Sequence, residues 1–70
     1  MTKHQIERIR HFASLLDKGQ RVSGQEVKEL TDLYNELFST RLATTSCSSC
    51  IRQRIGRLRD KLNDYEKSNN

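Results

Sequence analysis

Two cysteines, the only ones in the chain, stand three positions apart as Cys47 and Cys50. A pair this close cannot connect distant parts of the chain, so its chemistry is local. The pair lies at the start of a predicted helix, where unpaired backbone N–H groups and the positive end of the helix dipole favour the thiolate form. A thiolate can ligate a metal ion or act as a redox nucleophile, whereas a buried thiol behaves as a small apolar side chain.

Three interpretations of the cysteine pair follow. As metal ligands, Cys47 and Cys50 supply half of a tetrahedral zinc site. His4 and His11, the only histidines, lie two helical turns apart, about 10.5 Å, too far for both to reach one ion. The metal hypothesis is therefore a zinc ion shared between the cysteines of two chains, and no other cofactor is expected.

The other two interpretations need no metal. A thioredoxin-like redox site also opens a helix, but that fold needs a strand before the helix and a sheet beneath it, which this sequence does not predict. Alternatively, Cys47 and Cys50 are structural thiols that stay reduced inside a cell. Cys47 precedes Ile51 by four residues, so this interpretation places it on the buried face of the helix.

The elements that must position these thiols are helices. Apolar residues recur at three- and four-residue steps in three segments, which is the pattern of amphipathic helices. The predicted ranges are about 3–18, 24–39 and 47–66. The sequence thus predicts a small all-α three-helix bundle with antiparallel or orthogonal neighbours, forming one helical domain over residues 1–70 whose tail, 67–70, is frayed.

The helix boundaries are marked by particular residues. Ser23 followed three positions later by Glu26 is a capping box for the second helix. Gly19 is expected to end the first helix, because glycine enters the left-handed backbone region without a Cβ clash. Thr45 or Ser46 is the predicted N-cap of the third helix.

Size and composition exclude several classes of function. The chain has 70 residues, of which 33% are hydrophobic. It contains no glycine-rich phosphate loop, no HExxH motif and no carboxylate pair in a predicted apolar pocket, so we expect no enzymatic activity. No apolar run approaches the ~20 residues that span a bilayer, and the start lacks the apolar core of a secretory signal, so we expect a cytoplasmic protein without a membrane partner.

The third helix carries the strongest basic character in a chain whose net charge is +4. Arg52, Arg54, Arg57 and Lys61 lie beside its apolar positions and are the candidate binding residues. They are predicted to bind a protein partner, including a second copy of this chain, since a small core gains stability by association. The alternative is that these cations follow the phosphate backbone of a nucleic acid.

One segment resembles part of a DNA-binding fold. The stretch LLDKGQRVSGQEVKEL, residues 15–30, looks like the opening of winged-helix domains. The resemblance implies a helix-turn-helix-like DNA-binding regulator in which the third helix would present Ser48, Ser49, Arg52 and Gln53 to base edges. The sequence departs from that pattern afterwards, because the second predicted helix continues and no wing of strands follows.

A second segment resembles a different group of proteins. Residues 33–58, LYNELFSTRLATTSCSSCIRQRIGRL, are similar to a TxCxxCIR segment of small bacteriophage accessory proteins of unassigned role. The resemblance implies a virion component or a modulator of host machinery, located in the host cytoplasm or the virion. Our leading hypothesis is therefore a non-enzymatic, phage-type protein-binding module that docks through its third helix.

Overall fold

We describe a computed structural model of the chain, which defines residues 1–68. The first helix, α1, runs from Lys3 to Asp17. Thr2 caps it through a complete capping box with Gln5, and the two reciprocal hydrogen bonds measure 2.9 and 3.2 Å. At the other end Gly19 adopts a φ of 67°, and the amide of the following residue donates back to the Leu15 carbonyl. This is a Schellman ending, which confirms the predicted role of Gly19.

The second helix, α2, runs from Gly24 to Phe38. Ser23 is its N-cap, as predicted, and its hydroxyl accepts a hydrogen bond from the Glu26 amide. The predicted capping box is only half formed, because the Glu26 carboxylate accepts from the Ser23 hydroxyl and contacts His11 on α1 instead. The carboxylate therefore joins two helices rather than capping one.

The connection that follows α2 is an extended crossover of nine residues, 39–47. It starts at Ser39, which has a left-handed φ of 55°. The Asn35 side chain then fixes the crossover by accepting from the Leu42 amide and donating to the Leu42 carbonyl, both at 2.9 Å. Nine residues can reach about 30 Å, more than the ~22 Å length of α2, so the chain can return to the start of α2 before the next helix begins.

The third helix, α3, runs from Ser48 to Ser68. Its N-cap is Cys47 rather than the predicted Thr45 or Ser46. The Cys47 carbonyl accepts the first helical hydrogen bond from Ile51, and the Cys47 sulfur accepts from the Cys50 amide at 3.3 Å. At the far end, two residues of the predicted frayed tail are helical, and the remaining two lie outside the described residues.

The crossover makes α2 and α3 parallel, and α1 antiparallel to both. Along the contact between α2 and α3, residue numbers increase in the same direction on both helices, from Thr31 with Arg54 to Tyr34 with Arg57. This differs from the predicted antiparallel or orthogonal arrangement, which assumed short connections. As a consequence, α2 and α3 both begin at the end of the bundle where α1 finishes.

One apolar cluster holds the three helices together. Phe12, Leu30 and Leu58, one from each helix, are completely buried. The other members of the cluster are Ile9, Leu33, Tyr34, Ile55 and Leu62. The all-α three-helix bundle predicted from the sequence is thus confirmed. Within the described part of the chain, no helix combines the length and apolar composition needed to cross a membrane.

Candidate functional site

Three of the four predicted binding cations contact their own chain. Arg54 donates to the Thr31 hydroxyl at 3.2 Å and to the Ala43 carbonyl at 3.0 Å, so it joins α3 to α2 and to the crossover. Arg57 donates to the Tyr34 hydroxyl at 3.1 Å. Two of the three acceptors, the hydroxyls of Thr31 and Tyr34, belong to buried residues, so these guanidinium groups support the fold.

Lys61 also faces α2. Its ammonium lies 4.9 Å from the centre of the Phe38 ring, a distance at which a cation is attracted to the negative face of an aromatic ring. The predicted stripe of cations is therefore largely the contact between two parallel helices. Arg52 is the exception, since it is exposed and has no side-chain partner among the described residues.

Arg52 borders a groove at the end of the bundle where α2 and α3 begin. The groove has a volume of ≈ 820 Å³, within the range of about 300–1,000 Å³ that small-ligand pockets occupy. Its lining comes from the end of α1, the turn into α2, the crossover and the first turns of both later helices. The lining residues are Leu16, Gly19, Gln20, Arg21, Val22, Gly24, Val27, Thr44, Thr45, Ser46, Ser48, Ile51, Arg52 and Ile55.

The lining of this groove mixes aliphatic with polar side chains and has a positive border. Five aliphatic side chains line it, and two arginines, Arg21 and Arg52, carry the only formal charges in its lining. The first residues of α2 and α3, Gly24 and Ser48, also belong to the lining. Helix N-termini carry partial positive charge, so both helix starts add to the field of the two arginines, whereas the C-terminal end of α1, which also borders the groove, acts in the opposite direction.

The thiols lie at the same end of the molecule. Cys47 is exposed, whereas Cys50 is half-buried, and their sulfur atoms are 2.7 Å apart. The prediction that Cys47 occupies a buried position is wrong, because Cys47 caps the helix and its side chain turns back toward the first-turn amides. The interpretation of this pair as core thiols therefore fails at Cys47.

The hydrogen bonds around Cys47 favour its thiolate. The Cys50 thiol donates to the Cys47 sulfur, the Ser49 hydroxyl lies 3.3 Å from it, and the Cys50 amide also donates to it. Together these contacts lower the pKa of Cys47 to about 7. The hydrogen bond to Cys47 is the largest cause that raises the pKa of Cys50, and burial also raises it. The nearby charge of Arg54 acts in the opposite direction. One proton is thus shared unequally between the two sulfur atoms.

The structure does not bring either histidine to the cysteines. His11 contacts Glu26 at 2.8 Å, between α1 and α2, and His4 borders a separate shallow depression. Across residues 1–68, no three His, Cys, Asp or Glu side chains are grouped so that they could hold a metal ion. Zinc shared between the cysteines of two chains stays a prediction.

Sequence reasoning missed Arg21 and the groove. Arg21 lies in the turn between α1 and α2, and Arg52 lies on α3, 31 positions later. They border one groove only because α2 and α3 start at the same end. The length of the crossover was the signal available, since nine residues suffice for a parallel connection.

Comparisons with known proteins add no relative. No family model, no curated protein and no solved structure matches this chain.

Proposed function

We propose that the protein is a non-enzymatic binding module that docks an acidic, amphipathic segment of a partner protein in the groove at the start of α3. The observation that carries the proposal is the charge of the groove, which has two arginines and no acidic residue in its lining. The proposal keeps the third helix as a docking element, as the sequence predicts, but places the contact with the partner at the first turns of that helix. Of the four cations predicted to bind, Arg52 is the one assigned to the partner.

The lining suits an amphipathic segment better than a free anion. Leu16, Val22 and Ile51 present aliphatic surface that a small anion would leave uncovered, whereas an apolar side chain of the partner would bury it. An acidic side chain beside it would then meet Arg21 or Arg52. Both arginines are exposed, so they chiefly increase the association rate and the specificity, while the apolar contact supplies affinity.

The resemblance of residues 33–58 to phage accessory proteins supports a biological setting in which a small binding module would act. A small protein that binds one segment of a larger one would serve as a modulator of host machinery or as a virion component, in the host cytoplasm or in the virion. A second copy of this chain is the other partner that the sequence predicts, and a zinc ion held by the cysteines of two chains would stabilise such a homo-oligomer.

Selection from a random-peptide display library tests the proposal. Peptides selected on the wild-type protein should combine acidic with aromatic or aliphatic residues, and should lose at least tenfold in affinity for a double variant, Arg21→Glu with Arg52→Glu. Lys28→Glu is the matched control, because Lys28 is exposed on α2 and outside the groove. Failure to enrich acidic peptides, or equal losses with the control, would contradict the proposal.

DNA binding is the second candidate function. The observation in its favour is that the four residues predicted to face base edges, Ser48, Ser49, Arg52 and Gln53, are all exposed on the first turns of α3. Against it, Arg54 and Arg57 are engaged with α2, which leaves few cations for phosphate contacts.

Fluorescence anisotropy with labelled duplex DNA at several salt concentrations tests this candidate. A DNA-binding function predicts affinity that falls steeply with salt and that Arg52→Glu removes. Charge reversal at Arg54 is unsuitable for the test, because it would disturb the contact between α2 and α3. Absence of binding at low salt would eliminate this candidate without affecting the peptide-binding proposal.

A further inference from the structure

We propose that Cys47 and Cys50 form a thiol–disulfide exchange site in which Cys47 is the attacking thiol and Cys50 the resolving thiol. Three geometric features support it: the two sulfur atoms are 2.7 Å apart, Cys47 is exposed, and the Cys47 side chain caps α3. The proposal is independent of the peptide-binding function.

The proximity of the sulfur atoms allows a disulfide without rearrangement of the helix. Residues at the N-cap and at the third helical position lie on one turn, which is why the Cys47 sulfur already reaches the Cys50 amide at 3.3 Å. Closing the ring requires the sulfur atoms to approach each other by a fraction of an ångström, to the ~2.05 Å of a disulfide bond.

Exposure and hydrogen bonding assign different roles to the two thiols. Cys47 is exposed and accepts hydrogen bonds from the Cys50 thiol and the Cys50 amide, an arrangement that stabilises negative charge on its sulfur. Cys50 is half-buried and donates its proton, so an incoming reagent meets Cys47 first. Cys50 then lies in position to attack the product.

The reaction needs an oxidant of one chemical class, a low-molecular-weight disulfide such as oxidised glutathione. The Cys47 thiolate attacks one sulfur of that disulfide, which forms a mixed disulfide and releases one thiolate. Cys50 loses its proton to solvent and attacks the Cys47 sulfur, which releases the second thiolate. The two leaving thiolates take up the two protons, so the protein loses two hydrogens and one small disulfide becomes two thiols.

Neither a strand nor a sheet is needed for this chemistry. The exchange requires only an accessible thiolate and a resolving thiol within reach, both supplied here by one helical turn. A thioredoxin-like fold is therefore unnecessary for exchange at Cys47 and Cys50.

Intact-mass spectrometry after incubation with oxidised glutathione tests the proposal. The wild-type protein should lose two hydrogens and accumulate no adduct. Cys50→Ser should accumulate a single glutathione adduct that peptide mapping places on Cys47. Cys47→Ser should react at least tenfold more slowly than Cys50→Ser, because the remaining thiol is less exposed.

Two results would overturn the proposal. One is a stable glutathione adduct on the wild-type protein without ring closure, and the other is equal reactivity of the two serine variants. Circular dichroism of each variant guards against unfolding, and serine at position 47 can still cap α3 with its hydroxyl. Reduction with dithiothreitol should return the oxidised wild-type protein to its starting mass, and failure to do so would exclude a disulfide as the product.

Discussion

Replacing Arg54 with alanine tests whether the cations of α3 support the fold or await a partner. The Arg54 guanidinium donates to the Thr31 hydroxyl and to the Ala43 carbonyl, and its loss frees the crossover from α3. Thr31, only 3% exposed, keeps its own hydrogen bond to the Val27 carbonyl at 2.8 Å. The variant therefore loses two charge-assisted hydrogen bonds but leaves no buried donor unpaired.

The magnitude follows from those two bonds. Hydrogen bonds to charged groups contribute about 1.5–3 kcal/mol each, but water can replace the guanidinium at the exposed Ala43 carbonyl. We expect Arg54→Ala to lower the free energy of unfolding by about 2 kcal/mol, which corresponds to a fall in Tm of roughly 8–16 °C for a domain of this size.

Arg52→Ala is the matched control. It makes the same substitution on the same helix, so differences in helix propensity cancel, but Arg52 has no side-chain partner among residues 1–68. The free energy of unfolding of Arg52→Ala should differ from that of the wild type by less than about 0.5 kcal/mol. Both variants are measured by thermal and urea unfolding followed by circular dichroism. Equal stability of the two variants would refute the division of the α3 cations into structural and free residues.

Three further predictions concern a glycine pair, a carboxylate and a thiol. Gly56→Ala should stabilise the protein by about 0.5–1 kcal/mol, because Gly56 is inside α3 and a Cβ there would meet nothing within 4 Å, whereas Gly19→Ala should destabilise it, since Gly19 has a φ of 67°. Urea unfolding of both variants checks the opposite signs. The hydrogen bond from His11 lowers the pKa of Glu26, so ionised Glu26 stabilises the fold above its unfolded pKa and this contribution is lost as the pH falls through its folded pKa. Glu26→Gln should therefore lose less stability than the wild type between neutral pH and pH ~3, and an equal loss would contradict this assignment. Alkylation of Cys47 by iodoacetamide should reach half its maximal rate near pH 7, as mass spectrometry over a pH series would show, and a midpoint near that of a free thiol would be inconsistent with the capping contacts.

Much of the fold could be predicted because its determinants are local in sequence. The steps between apolar residues defined all three helices, and Ser23 and Gly19 marked boundaries that the structure confirms to within about two residues. Capping depends on a few neighbouring residues, so a sequence shows it directly.

The direction of α3 relative to α2 could not be predicted from neighbouring residues in this way. It depends on the path of the crossover, which the Asn35 side chain and the Arg54 guanidinium fix through contacts with its backbone. Periodicity identifies the face that a helix buries but not the partner of its flanking cations, so Arg54 and Arg57 read as free charges in the sequence. The position of Cys47 was misjudged for a related reason, because helical periodicity does not apply to a residue that caps the helix.

The most direct test of the proposed function is to map a bound peptide on the protein by NMR. Uniformly 15N-labelled protein is titrated with the acidic peptide selected on the wild type. The account predicts that amide shifts concentrate in the turn at residues 19–22, in residues 44–47 of the crossover, and at Ser48 and Arg52 of α3, and that they vanish in the Arg21→Glu, Arg52→Glu variant. Shifts confined to the outer faces of α1 and α2, or to the second half of α3, would contradict it.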